Sequence, residues 1–397
     1  MPGQSRWFLR LRSVASCAAA LAGACGGDPT PPDVRSLEVV PSSGLVVGVG
    51  GTSRFTAVAR GPDGVVSTEG ATWTSLDPSI VTVDGRGEAR GAGEGSTEIV
   101  VELGGMTASA DVEVWIPARV PQYEPGVSYF GRREYVEYIP GRLPVVLSAG
   151  HGGHLLPDEI PDRSSGEVVR DRNTLELTLA VREALLEQTG YAPHVVISHL
   201  DRTKLDPDRE IFEAAEGNPF AEQAWKEYHA FIEWARTEIR IRGEGMYFDM
   251  HGHGHPIQRL ELGYLLGPEL LNLGDLYLDQ LSVVQLTSIR ELGRDAPIPF
   301  SELLRGSSSL GGFLEAEGVP ALIGPTHPRP LDDPYSSGGY STRRHGSLAD
   351  SELVSGVQIE HHFDGLRDTE ENRRVYAGQL ARAIRGFMLE HIGYFEP

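Results

Sequence analysis

Residues 245–255 read GMYFDMHGHGH. An apolar, strand-like run passes directly into an aspartate and three histidines at alternate positions, 251, 253 and 255. A short apolar run that ends on polar residues is the pattern of a buried strand whose carboxyl end opens on a site. Comparable runs occur elsewhere in the chain. LPVVLSAG (143–150) leads into His151, HVVISHL covers 194–200, VPALIGP covers 319–325, and SGVQIEHH (355–362) carries Glu360 near its end. Helical periods lie between them. TLELTLAVREALLEQTG (174–190) places Leu175, Leu179 and Leu186 on one face and stops at Gly190, and longer helices surround AEQAWKEYHAFIEWARTEIRIRG and TEENRRVYAGQLARAIRGFMLEHI. This alternation predicts an α/β fold, a largely parallel or mixed sheet between helices, with its chemistry at the carboxyl ends of the strands.

Ahead of that region the pattern changes. Residues 36–115 read as short alternating strands, among them SLEVVPSS, TSRFTAVAR and GSTEIVVEL, punctuated by GPDG, LDPS and DGRG. Such spacing predicts a small all-β sandwich. Trp73, then DPSIVTVD, then GEARGAGEGSTEIVV resembles the bacterial immunoglobulin-like group 2 domain. No titratable cluster lies in this segment, and a spacer role is its simplest reading. Residues 116–139 read as a connector and 140–397 as the catalytic domain.

The first residues bear on compartment. MPGQSRWFLRLR is a basic n-region with Arg6, Arg10 and Arg12, followed by the short apolar run SVASCAAALAGA and Cys25. This is the form of a secretory signal over 1–24, its apolar run too short to persist as a membrane-spanning helix. AGAC at 22–25 resembles a bacterial lipoprotein cleavage box, which makes Cys25 the expected lipidated residue. A Gly/Pro-rich tether follows to residue 35. The expected product is exported and anchored in the cell envelope through an N-terminal lipid. Cys17 falls in the leader and Cys25 would carry the lipid, so a metal site in the mature chain must use His, Asp and Glu. Loss of the leader's three arginines takes the formal charge of −21 to −24. Such a chain offers no cationic field for nucleic acid.

Two imidazoles and a carboxylate, with a position left for water, are the usual protein ligands of a hydrolytic zinc. His151 in SAGHGG, His251 in FDMHG and Glu360 in GVQIE stand at the ends of three such strands. Together with RTKLDPDR (202–209), PYSSGGYSTRRHG (334–346) and VQIEHH (357–362), in that order, they resemble the N-formylglutamate amidohydrolase family, relatives of the zinc carboxypeptidases. The resemblance covers about residues 140–390. It implies a zinc-carboxypeptidase-like mixed sheet between helices, a Zn2+ cofactor, and hydrolysis of the amide bond of a small N-acyl amino acid or carboxylate-bearing peptide.

Carried over residue by residue, the resemblance makes His151 and His251 metal ligands and Glu360 the general base. It implies a third, carboxylate ligand near the first helix: Asp171 in RDRNTLELT is the first candidate, Glu159 in LLPDEIPDR the competitor, with Asp158 and Asp162 behind them. Arg202 and Arg209 resemble substrate-side arginines, able to grip a carboxylate in a bidentate manner, although Asp206 and Asp208 beside them equally suggest an ion-pair network. Arg343, Arg344 and Tyr340 are further candidates for substrate contact. The sequence also departs from the family. DPDR stands for Asp-x-Asn-Arg, HGHGH for a His-Ser ending, and His361 and His362 follow the base where smaller or apolar residues are usual. Those departures, with export, put formylglutamate itself in doubt. They leave open a peptidoglycan or γ-glutamyl peptide amidase or carboxypeptidase, and a surface binding protein without catalysis.

Overall fold

The computed structural model describes residues 34–47, 49–62, 64–115, 123–348 and 353–395. The leader, Cys25 and the tether as far as residue 33 lie outside the described residues. From Ser36 to Trp115 the chain is all β, in three small sheets. The largest is built on a hairpin of Gly95–Leu103 and Met106–Trp115, which turns at Gly104 and Gly105, both at positive φ. Alternate residues of these strands, Ile99 and Val101 on one and Ala110, Val112 and Val114 on the other, pack with Phe55, Val81 and Ala89 into one core, as period-2 patterning requires.

The second part centres on an eight-stranded sheet: β1 (Tyr129–Phe130), β2 (Val136–Ile139), β3 (Val145–Ala149), β4 (His194–Ser198), β5 (Gly245–Gly252), β6 (Leu260–Gly263), β7 (Ala321–Leu322) and β8 (Val354–His361). Its order is β1-β2-β4-β3-β5-β8-β6-β7. The inner strands β4, β3, β5 and β8 run parallel. The sheet is mixed because β2 runs antiparallel to β4, and β6 antiparallel to β8. It begins earlier than expected: β1 and β2 come from the stretch read as a connector. Two and four residues show no periodicity of their own, and only pairing with β4 defines them as strands. β6 was not foreseen either, since LELG is equally short.

The inner strands are buried on both faces, so each reads as an apolar run. Successive side chains serve opposite layers. Val145, Leu147, Ala149, Met246, Phe248, Met250, Val357 and Ile359 face the core shared with α1 (Thr174–Thr189) and α4 (Glu370–His391). Val146, Val196, Tyr247 and Val354 face α2 (Pro219–Arg240). Burying each large apolar side chain contributes about 1.5–3 kcal/mol. In α1 the buried stripe runs through Leu175, Leu177, Val181 and Leu185 rather than Leu186, a rotation by one residue, and Gly190 ends the helix in the left-handed conformation. α2 starts on Asn218, whose side chain accepts the amides of Phe220 and Ala221, with Pro219 as its first residue.

The two parts touch through the strand Ser43–Val47. Glu210 accepts the Ser42 amide (3.3 Å) and the Ser43 hydroxyl (2.7 Å). Arg344, on α3 (Tyr340–His345), donates to the Leu45 carbonyl (3.2 Å) and to the Tyr340 hydroxyl (2.9 Å), with its guanidinium over the Trp225 ring. Lys226 pairs with Glu113 at 2.9 Å. Hydrogen bonds to a charged group are each worth about 1.5–3 kcal/mol. Arg344→Ala is therefore expected to destabilise the chain by roughly that amount, and to separate the unfolding of residues 34–115 from that of the larger sheet. Chemical denaturation followed by tryptophan fluorescence measures this, and a single transition at an unchanged midpoint would contradict the account.

Candidate metal centre

β3 ends in Gly150–His151–Gly152–Gly153. A Cβ at Gly152 would meet the Leu175 amide nitrogen at 2.5 Å, and one at Gly153 the His199 backbone at 2.4 Å. Only glycine lets this turn lie against the start of α1. The His151 carbonyl accepts the Asp171 amide (3.1 Å), and Thr174 returns its hydroxyl to the Asp171 carbonyl (2.8 Å). Asp171 is thus locked beside His151, just ahead of the helix, where the dipole favours a carboxylate.

β5 supplies the third group. Asp171 Oδ2 lies 3.5 Å from His151 Nδ1 and 3.6 Å from His251 Nδ1, and accepts the Gly252 amide at 3.0 Å. The imidazole rings meet edge to face, 4.7 Å between centroids. All three side chains are buried, and their ligand atoms lie within 4.8 Å of one another. His151 Nδ1 is buried with no hydrogen-bond partner, an orphaned lone pair or proton that folding would not leave unmatched without cause. Two atoms each about 2.1 Å from a tetrahedral ion stand roughly 3.4 Å apart, close to the spacing found here. Among the described residues this set fits a divalent cation.

The far nitrogen of each ring faces a carboxylate. His151 Nε2 donates to Asp206 Oδ1 at 2.6 Å. His251 Nε2 lies 3.1 Å from Asp249 Oδ2, whose other oxygen accepts the Ser148 hydroxyl at 2.8 Å. A carboxylate behind a ligating imidazole holds its tautomer and raises its basicity. Burial alone would lower the basicity of both rings and raise that of the carboxyls. Asp206 outweighs it at His151, and Asp249 and Asp171 outweigh it at His251, so both imidazoles hold protons more firmly than usual. Asp171 and Asp206 are held well below the ordinary carboxylate range despite their burial, Asp171 by the two histidines and Asp206 by His151 and the Arg202 guanidinium. The carboxylates around the rings thus favour positive charge between them, the sign that a cation would bring.

Glu360 pairs in register with His251 across β5 and β8, which places both side chains on one face. Burial, with Asp171 and Glu261 adding negative charge, pushes its carboxyl up to about 7 against the opposing charge of His251. Gln358 donates to its Oε1 at 3.0 Å.

The structure separates the remaining candidates. Glu159 hydrogen-bonds Tyr135 and Arg133, away from the histidines. Asp162 pairs with Lys204, and Asp158 is exposed. Arg202 lies behind the ligands, against Asp171 (3.4 Å) and Asp206 (3.1 Å), and presents little surface. Arg209 is half exposed, 3.7 Å from Asp206. Tyr340 and Arg344 serve the contact with the Ser43–Val47 strand, while Arg343 is exposed on α3. Sequence reasoning did not assign Asp206 and Asp249 as partners of the rings. RTKLDPDR and FDMHG contained both, but nothing in their spacing tells which imidazole a carboxylate will meet.

No family model matches the chain, and no curated protein matches it. Among solved structures it is similar to a metallo-carboxypeptidase from Pseudomonas aeruginosa in complex with (2-guanidinoethylmercapto)succinic acid, at 13% identity over 68% of this chain and 65% of that one, with a TM-score of 0.30. A candidate carboxypeptidase A from Shewanella denitrificans shares 11% identity over 89% of this chain and 96% of that one, with a TM-score of 0.33. Domains 4 and 5 of the S-layer protein SbsC share 22% identity over 21% of this chain, with a TM-score of 0.19, and the match spans about half (53%) of that structure. At these scores the likenesses carry no argument, and the site stands on its own geometry.

Ligation must displace the protons on His151 and His251, so metal affinity should rise with pH and binding should release protons. Calorimetric titration of the chelator-stripped chain with Zn2+, in buffers of different ionisation enthalpy, counts them. Asp206→Asn should weaken binding about 10–100-fold. Uptake that ignores both pH and Asp206 would remove His151 from the site.

Proposed function

We propose that this chain is a metal-dependent hydrolase that cleaves the amide bond of an N-acyl amino acid or a carboxylate-bearing peptide, with Zn2+ held by His151, Asp171 and His251. The observation that carries the proposal is the pairing of this buried two-imidazole, one-carboxylate set with Glu360, opposite His251 in register and titrating near neutrality. A bound ion would supply Lewis-acid polarisation of the scissile carbonyl and lower the pKa of water nearby. Glu360 takes the proton from the attacking water and returns it to the leaving amine. Gln358 occupies Glu360 Oε1, which leaves Oε2 as the acceptor. Asp206 holds the His151 ring by its hydrogen bond, Asp249 lies beside His251 Nε2, and Arg209, half exposed, is the guanidinium that would meet a substrate carboxylate.

The mixed sheet between helices is consistent with the zinc-carboxypeptidase-like fold that the N-formylglutamate amidohydrolase resemblance implies, and the three small β sheets ahead of it with an immunoglobulin-like domain. In this reading the protein is exported and held in the envelope by a lipid on Cys25. A screen of N-acyl amino acids, γ-glutamyl peptides and muropeptides, with and without chelator, identifies the substrate. Loss of all turnover on chelation supports hydrolysis at this site, whereas a metal-loaded chain inert to every class favours the non-catalytic surface protein.

A general base works when deprotonated, so kcat/KM should fall as pH drops through the Glu360 pKa. A cation beside the carboxylate lowers that pKa, which puts the acid limb at or below about pH 7. Glu360→Gln should lower kcat by about 10²–10⁴-fold at unchanged metal content. Full activity in that variant would exclude Glu360 as the base.

A further inference from the structure

The two later histidines of the 249–255 stretch belong to a different cluster. His253 follows β5 and is buried, with its amide donating to the His361 carbonyl at 3.0 Å. The chain then reverses through residues 254–259, which carry His255, and returns as β6 with Glu261 buried in it. His255 Nδ1 meets Glu261 Oε1 at 2.6 Å, and the two rings lie 5.1 Å apart. One ligand atom from each of His253, His255 and Glu261 falls within 4.8 Å of the others. We propose that these three side chains form a second divalent-metal site at the solvent-side rim of the sheet's carboxyl end, separate from His151, Asp171 and His251.

The hydrogen bonds determine which atoms hold a lone pair that could ligate. His253 Nε2 lies 2.8 Å from the Arg259 carbonyl, which can only accept, so that nitrogen carries the proton. Nδ1 therefore keeps its lone pair, which accepts the His255 amide at 3.1 Å, so ligation by His253 exchanges that hydrogen bond for the metal. This neutral ring, fixed by a backbone carbonyl on its far side, is the form in which histidine binds a metal. Glu261 is anchored in the same way, its Oε2 accepting the Ser336 amide at 2.8 Å and its Oε1 left toward His255. The proton between His255 and Glu261 lies where an ion would be inserted. His253 and Glu261 are nearly inaccessible whereas the His255 side chain is 34% exposed, so two ligands are built in and the third is the movable one on the solvent side.

Two imidazoles and one carboxylate select a borderline transition ion such as Zn2+, Co2+ or Ni2+ over Mg2+ or Ca2+, which prefer oxygen ligands throughout. Three protein ligands leave coordination positions for water or for a carboxylate from outside. Glu261 pairs in register with Glu360 across β6 and β8, so the second ion would sit beside the reaction centre without sharing a ligand with it. The inference is independent of the proposed hydrolytic activity.

The test is metal stoichiometry in the full chain, stripped with chelator, reloaded with Co2+, freed of excess by gel filtration, and read by elemental analysis and by Co2+ absorption bands. Two equivalents are expected in the unaltered chain and one in His255→Ala or Glu261→Gln. Circular dichroism of each variant confirms folding, and the partly exposed His255 is the conservative choice. His151→Ala should also retain one equivalent, with a different Co2+ spectrum from that of His255→Ala. The inference is overturned if His255→Ala and Glu261→Gln bind as much Co2+ as the unaltered chain with the same spectrum. Loss of an equivalent in His255→Ala but none in His151→Ala would instead support the rim site and remove the first centre.

Discussion

A single buried oxygen, Oδ2 of Asp171, lies within 3.6 Å of an imidazole nitrogen from the end of β3 and another from β5, and accepts the amide of Gly252. A carboxylate taken out of water must be matched by opposite charge and hydrogen bonds or it will not stay ionised. Here the match comes from His151 and His251, and behind them from Asp206 and Asp249. The result is an alternation of negative and positive groups across the carboxyl ends of the sheet. Removing one member leaves its neighbours buried and unpaired, so these residues form a unit rather than a set of separate contacts.

The sheet makes that unit possible. β3, β5 and β8 run parallel, so their carboxyl ends lie together, and each carries a polar residue at its end or just beyond it. One face of each strand is committed to the apolar layer under α1 and α4. The other face is free to carry Ser148, Asp249, His251, Gln358 and Glu360, which contact one another or pair in register. Period-2 alternation therefore sorts a hydrophobic core from a polar site within the same strands. The all-β segment contributes from outside. Its Ser43–Val47 strand binds Glu210, four residues beyond Asp206, and Arg344 on α3, whose neighbour Ser341 donates its amide to Asp208. A segment read as a spacer is joined by hydrogen bonds to the loop beyond Asp206 and to α3.

Much of the fold was legible because a strand buried on both faces must be apolar throughout. VVLSA, HVVIS, GMYFDMHG and VSGVQIEH all stood out for that reason, and Gly190 marked the end of α1. The short strands Tyr129–Phe130, Val136–Ile139 and Leu260–Gly263 did not stand out, since a few residues acquire strand character only from the neighbour they pair with. The candidate site divides the same way. That His151, His251 and Glu360 end strands follows from local pattern, whereas the place of Glu159 against Arg133 and Tyr135 does not.

The sequence by itself determined which residue types were available. With no cysteine beyond residue 25, only imidazole and carboxylate could ligate, and 13 histidines gathered largely at strand ends pointed to where. Tertiary structure decided how the three histidines of residues 249–255 divide. His251 turns its Nδ1 toward Asp171, eighty residues earlier in the chain, while His255 meets Glu261 on the returning strand with His253 beside them. Spacing along a chain fixes only the direction in which a side chain leaves its own strand. What it meets there depends on register with strands that sequence distance does not reveal.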